Sequence, residues 1–279
     1  MDSKPNLHQV ACRKFIDHCK DTFGWSDLTD DVIMDVGCGE EGLCGKSMLE
    51  KFPDVSAIIG IDFDPKVVRN FKLKTTPKFQ CVLADIEKRE TLRNYKGKIN
   101  KIISIRTFHQ LINKEEAFRN VYHLLKPGGE AAILFVIKSL IYEWLTEMLR
   151  IPKWKEVYQG SYTVDMYKSG ENKDRFKEMV EKIGFRVLEC SEAKIVIPYP
   201  SDQACKDALY QMCGNSFNIP PEEVEQFKEE CFQLLVKTSA RDPEGRPCYR
   251  STELRLLLAK PTESSGTPGA EHLGLQTTI

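Results

Sequence analysis

The sequence has no apolar run long enough to cross a bilayer as a helix. Its longest, residues 131–137, has the length of a strand. Net charge is nearly absent too: 40 Lys and Arg stand against 41 Asp and Glu, leaving −1. That balance argues against a partner held mainly by phosphate neutralisation, which leaves a basic footprint, so no nucleic-acid partner is expected. The first residues, Met1 to Asn6, offer no apolar segment for a secretion signal. The ten cysteines contain no Cys-x-x-Cys pair, so they read as reduced thiols in a cytoplasmic protein rather than as a metal site or a disulfide framework. No internal repeat is present, and nothing in the sequence signals an oligomeric state.

What is present is enough apolar material for a large core. The chain has 279 residues, 41% of them hydrophobic, and needs no covalent staples. Short, continuous apolar runs at 32–36, 57–62, 79–83, 102–105 and 131–137 read as strands covered on both faces. Amphipathic helical patterns lie between and after them. Residues 115–126 place Phe118, Val121, Tyr122 and Leu125 on one face behind Asn113 as a cap, and 173–183 end at Gly184. Strand alternating with helix predicts an α/β fold with a doubly wound, mostly parallel sheet. Residues 185–197 read as one long or bent strand, and 253–258 as the last strand. The expected organisation is a single domain over 1–261, opening with a helix over 5–24. Two insertions, 138–165 and 199–237, would cover a pocket at the sheet's carboxyl edge. The second is expected to be helical in two pieces parted by Pro220-Pro221, and 262–279 to be a disordered tail.

The most informative segment follows the first strand: Asp35-Val36-Gly37-Cys38-Gly39-Glu40-Glu41-Gly42. Glycines let a backbone turn tightly and approach a ligand with no Cβ in the way. Asp62 ends the second strand, where a carboxylate accepts hydrogen bonds from both hydroxyls of a ribose. This much suits either a nicotinamide dinucleotide or S-adenosylmethionine. Three features favour the second. Asp35 suits the cationic methionine end of that donor; Glu40 and Glu41 oppose a pyrophosphate by like charge; and Asp85-Ile86, after the third strand, offers an acceptor for an adenine amino group beside an apolar flank. Cys38, Phe63 and Arg106 are assigned to the same donor site.

With Leu125-Lys126-Pro127-Gly128-Gly129 before the fifth strand, the order of these motifs resembles a class I, Rossmann-like methyltransferase. The resemblance implies a seven-stranded sheet ending in an antiparallel hairpin. The stretch from Arg106-Thr107-Phe108-His109-Gln110-Leu111 through Gly129, together with Lys153-Trp154, Gly184-Phe185 and Asn218-Ile219-Pro220, is further similar to the juvenile hormone acid O-methyltransferases of arthropods. That family methylates the carboxylate of farnesoic or juvenile hormone acid, holding it with an N-terminal glutamine and a tryptophan that follows a histidine. Gln9 matches the glutamine and His109 the histidine, whereas Gln110 stands where the family has tryptophan. Gln9, His109 and Gln110 are therefore the expected catalytic set. The glycine loop departs as well, with Glu40-Glu41-Gly42 in place of proline or serine and then glycine.

The resemblance implies methyl transfer to a small apolar acid, with Trp144, Trp154, Tyr158, Tyr162 and Phe217 as candidate walls of its pocket and no metal. A carboxylate is already ionised at neutral pH and needs no strong base. Three other readings remain open at this point: a hydroxyl or amine acceptor with His109 as base, a catalytically weak donor-binding protein, and a nicotinamide dehydrogenase resting on the glycine pattern alone.

Overall fold

The computed structural model describes residues 7–262, apart from 74–75, 167–169 and 239–240. In chain order the elements are α1 (Leu7–Phe23), β1 (Val32–Val36), α2 (Leu43–Lys51), β2 (Ala57–Asp62), α3 (Pro65–Asn70), β3 (Phe79–Leu83), β4 (Ile99–Ile105), α4 (Lys114–Leu124), β5 (Leu125–Ser139), α5 (Leu140–Met148), α6 (Pro152–Glu156), α7 (Lys173–Ile183), β6 (Arg186–Pro198), α8 (Asp202–Cys213), α9 (Val224–Thr238) and β7 (Cys248–Ala259). The helix expected over 5–24 is α1, with residues 5 and 6 outside the described residues. The expected tail also lies outside them beyond Thr262.

The strands form one seven-stranded sheet in the order β3-β2-β1-β4-β5-β7-β6. The first five run parallel, and β7 enters antiparallel between β5 and β6. Apolar runs this continuous follow from burial on both faces. On one face Met34, Val36, Ile59 and Ile61 join Phe118, Val121, Phe176 and Val180 of α4 and α7. On the other, Ile33 and Ile58 join Cys12, Ile16 and Met48 of α1 and α2. Strand order reverses between β1 and β4, which opens a crevice at the carboxyl ends of these strands.

Local chemistry sets the boundaries. The Asn113 side chain accepts the Glu116 N–H and starts α4. Phe118 packs 4.8 Å from Phe108 and 6.3 Å from Phe176, ring centre to ring centre. Truncating it to Ala would cost about 3–5 kcal/mol. The helix expected to reach Lys126 stops at Leu124, and Leu125 is already extended. Pro127 disfavours the helical conformation for the residue before it. The Lys-Pro-Gly-Gly segment, expected before the fifth strand, is instead the irregular first part of β5. There the Gly128 N–H donates to Lys260 O at 2.9 Å and the Lys260 N–H to Gly129 O at 2.8 Å. β6 is bent by a register shift between Val187 and Glu189.

The two insertions meet over the carboxyl edge. Since β5 runs to Ser139, the first begins at Leu140 rather than at 138; the Ser139 hydroxyl accepts the Ile141 N–H and caps α5. Helices α5, α6, α8 and α9 share a third apolar cluster around Trp144, Trp154, Leu209, Phe227 and Leu235. Among the described residues no helix is long and apolar enough to cross a membrane.

Candidate functional site

The glycine loop is a fixed object. The Gly37 N–H donates to Ile61 O at 2.8 Å, and the Gly39 N–H donates to Asp62 Oδ2 at 3.2 Å, so the loop is tied to the tip of β2. Gly37 has φ 71°, and a Cβ there would stand 2.2 Å from Thr107 Oγ1. Only glycine meets both demands. Asp62 Oδ1 accepts the Asp64 N–H at 3.1 Å. Each carboxylate oxygen thus has one backbone donor and keeps lone-pair capacity for a ligand hydroxyl.

A cavity of 290 Å³ lies between the tips of β1, β2, β3 and β4. Gly37, Asp62, Phe63, Asp85, Ile86 and Gln110 all stand on its walls, together with Thr107, Lys88, Leu111, Ile112, Ser161 and Met166. The Asp85 carboxylate accepts the Glu87 N–H at 3.0 Å and pairs with Lys88 at 3.1 Å. Phe63 is 66% exposed and Ile112 48%, a large apolar display around one opening. Lys114 braces the far wall. Its buried ammonium donates to Leu111 O at 3.1 Å and Met166 O at 2.5 Å, and it pairs with Glu171 at 3.5 Å.

His109 lies behind Gln110, buried to 7% exposure, with its ring 5.8 Å from that of Tyr142. Its Nε2 is 3.5 Å from Gln110 Nε2, and its Nδ1 is buried with no hydrogen-bond partner among the described residues. Burial, helped by the positive charges of Lys114 and Arg106, pushes its pKa down to about 4. The ring is therefore neutral at pH 7. Beyond it Tyr142 and Tyr162 stack at 5.3 Å, and the Tyr162 hydroxyl is 2.7 Å from Thr146 Oγ1.

A model of the methyltransferase domain matches residues 28–184, which span β1 to α7 and every wall of this cavity. The chain belongs to this methyltransferase family. Juvenile hormone acid O-methyltransferase of Drosophila melanogaster is 21% identical over 237 residues, covering 82% of this chain and 79% of the relative. The Bombyx mori protein of the same name is 23% identical over 214 residues, 76% of each chain. Among solved structures, the YcgJ protein of Bacillus subtilis superposes with a TM-score of 0.60 at 13% identity, covering 92% of this chain and 99% of that one. Phosphoethanolamine N-methyltransferase 2 of Haemonchus contortus, in complex with S-adenosyl-L-methionine, gives 0.54 at 12% identity over 89% of this chain and 52% of that one. These two likenesses concern the fold.

Not every residue expected at the site of this methyltransferase reaches the cavity. Asp35 is 1% exposed and points away from it. Successive strand residues face opposite sides. Val36 lines the cavity, so Asp35 turns toward α2, where its Oδ2 accepts the Gly45 N–H at 2.8 Å. Burial pushes its pKa up to about 7. In this position it caps α2 and steadies the glycine loop rather than lining the cavity. Glu40 and Glu41 also face outward, Glu40 accepting from Asn70 Nδ2 at 3.1 Å and Glu41 pairing with Lys72. Their repulsion of a phosphate is correspondingly weaker than the sequence suggests.

Cys38 is buried, with its sulfur 3.5 Å from that of Cys81, and Gly39 braces Asp62 from behind. Arg106 takes φ 58°, a left-handed strain of about 1–2 kcal/mol for a residue with a Cβ. Its guanidinium reaches Glu253 at 3.4 Å instead of the cavity, while the bend at Arg106 brings Thr107 against Gly37. Gln9 is half-buried on α1 and does not line this cavity.

Trp144 and Trp154 are fully buried at 0% exposure, so neither borders a space that admits water. Trp154 donates to Glu230 at 2.5 Å and packs on Phe227. Both are lid core and not pocket wall, because the largest apolar side chains repay burial most. Phe217 and Tyr158 pack together 5.0 Å apart; Phe217 borders a separate, polar recess of 590 Å³ within the lid. Tyr162 alone of the aromatic candidates both approaches Tyr142 and sits one residue from the cavity wall at Ser161. Thr107, Leu111 and Ile112 could have been found from their place after β4 at the strand-order reversal. Ser161 and Met166 carry no such signal, since only tertiary folding brings them to the cavity.

Proposed function

We propose that this methyltransferase moves a methyl group from S-adenosylmethionine to the carboxylate of a small, mostly apolar acid of the farnesoic or juvenile hormone acid type. The observation that carries the proposal is the cavity that gathers Gly37, Asp62, Asp85 and Gln110 around one space. The residues suit the donor. Asp62 accepts from ribose hydroxyls, Asp85 from an adenine amino group, and Phe63, Ile86 and Ile112 supply apolar faces for the base. The bare backbone at Gly37 admits the chain beyond the ribose.

When bound, the donor supplies an electrophilic methyl group on a sulfonium. Gln110 stands on the wall with an amide that donates to an acceptor carboxylate. His109, neutral with a pKa near 4, is a poor proton acceptor at pH 7. A carboxylate acceptor needs no proton removed, whereas an ammonium or alcohol does; the state of His109 therefore favours the acid. Alignment and exclusion of water by the braced lid supply the acceleration. Gln9, half-buried on α1, stays in the proposal as a second amide for the acid end. A single domain and a cytoplasmic setting belong to the same proposal.

Calorimetry with S-adenosylmethionine and with a nicotinamide dinucleotide tests the donor. Saturable binding of the first and none of the second is expected; the reverse result would overturn the proposal. Gln110 in place of tryptophan keeps a second acceptor class in play, and amines or phenols accepting the methyl group in place of acids would favour it.

A further inference from the structure

A second recess, of 190 Å³, lies where β5, β7 and β6 run side by side under the start of α5. Lys138 pairs with Thr252, and Thr252 with Lys194, while Arg250 pairs with Val196. Directly paired residues share a sheet face, as do residues two apart in a strand. The register therefore sets Lys138, Lys194 and Arg250 on one face, and all three line the recess.

These cations are uncompensated. Among the described residues the exposed side chains of Lys138 and Lys194 have no ion pair or hydrogen bond, and the Arg250 Nε is buried with no hydrogen-bond partner. Glu143 is the one carboxylate on the wall, so positive charge predominates there in a chain whose net charge is −1. Buried donors are normally satisfied, and an orphaned guanidinium nitrogen beside two free ammonium groups describes half of an ion site.

We infer that this recess binds a phosphoryl group. The guanidinium fork matches phosphoryl oxygens in pairs, and the two lysines add point charge. The hydroxyl of Thr252, on the same face, supplies a neutral donor. At 190 Å³ the recess is smaller than the 290 Å³ donor cavity, so it suits a compact charged group. Two sources carry that chemistry: a soluble phosphoryl compound and a lipid headgroup. The second would also cover Val196, which is 54% exposed on the same face as the three cations.

The test is titration of the full chain with inorganic pyrophosphate at fixed ionic strength, in parallel with flotation on phosphatidate and phosphatidylcholine vesicles. Saturable pyrophosphate binding, or flotation with phosphatidate alone, supports the site. Binding in solution without flotation assigns a soluble ligand. Flotation that is lost in Val196→Asp assigns the headgroup. In whichever arm binds, Lys194→Met and Arg250→Met should each weaken binding at least tenfold, and Glu143→Gln should strengthen it. The affinity for S-adenosylmethionine should stay constant in all of them, which separates this site from the donor site. No saturable binding in either arm, or binding indifferent to Lys194→Met and Glu143→Gln, would overturn the inference.

Discussion

Lowering the pH from 7 to 5 should cost the native protein about 2 kcal/mol through His109 alone. The imidazole has a pKa near 4 in the folded chain because it is buried and faces Lys114 and Arg106. In the unfolded chain it returns to about 6.5. Between those values the unfolded chain holds a proton that the native protein lacks, so stability falls as the pH falls. At pH 5 the unfolded imidazole lies about 1.5 pH units below its pKa, at roughly 1.4 kcal/mol per unit. Asp35 acts in the opposite direction. Burial raises its pKa to about 7, so its carboxyl binds a proton in the native state first, and the stability it contributes grows as the pH falls through 7. The total stability curve therefore conceals both groups. Urea denaturation of the wild type and of His109→Gln at the two pH values separates them. The stability of the wild type minus that of the variant should drop by about 2 kcal/mol at the lower pH. A difference constant within about 0.5 kcal/mol would show that His109 is not held neutral, and would remove the case against base catalysis with it.

Asp62→Ala should weaken donor binding by about 1–3 kcal/mol, the cost of a lost buried hydrogen-bond partner; calorimetry giving an unchanged dissociation constant would deny Asp62 its ribose role. Gly37→Ala should abolish donor binding and lower the thermal midpoint, because the added Cβ meets the Thr107 side chain at 2.2 Å. Thr107→Gly in that background should recover part of the stability, and a variant as stable as wild type would contradict the contact. Trp154→Phe should destabilise the lid by about 1–3 kcal/mol by removing the indole N–H from Glu230 Oε2, which leaves that carboxylate only the Gln226 amide on its other oxygen. The same variant should leave the acceptor KM unchanged, whereas a raised KM would return Trp154 to the pocket wall. Gln110→Trp should change the ranking of acceptors in a turnover panel; identical rates for every acceptor would remove it from the acceptor's surroundings.

Much of this was readable from the residues. The bounds of β1, β2 and β3 coincide with their apolar runs; β1 and β2 are buried on both faces and show no alternation to blur the edges. Gly37, Asp62 and Asp85 stand on the cavity because backbone shape and strand-tip position determine them locally. The orientation of Asp35 was also open to inspection: it adjoins Val36 in a strand, so only one of the two could face the ligand. β4, β5 and β7 ran longer than expected because their outer residues gain order from pairing, as with Ile99 against Leu125 and Tyr249 against Ile197. Nothing local distinguishes Trp144 and Trp154, which form the lid's core, from Tyr162, which lies beside the cavity. Packing of α5, α6 and α9 decides it.

The most direct measurement is the chemical form of the transferred methyl group. The protein would be incubated with methyl-labelled S-adenosylmethionine and a panel of apolar acids, amines and phenols. Label recovered as base-labile methyl esters of the acids is the expected result. Label found only on nitrogen or on phenolic oxygen, with every acid untouched, would contradict the account.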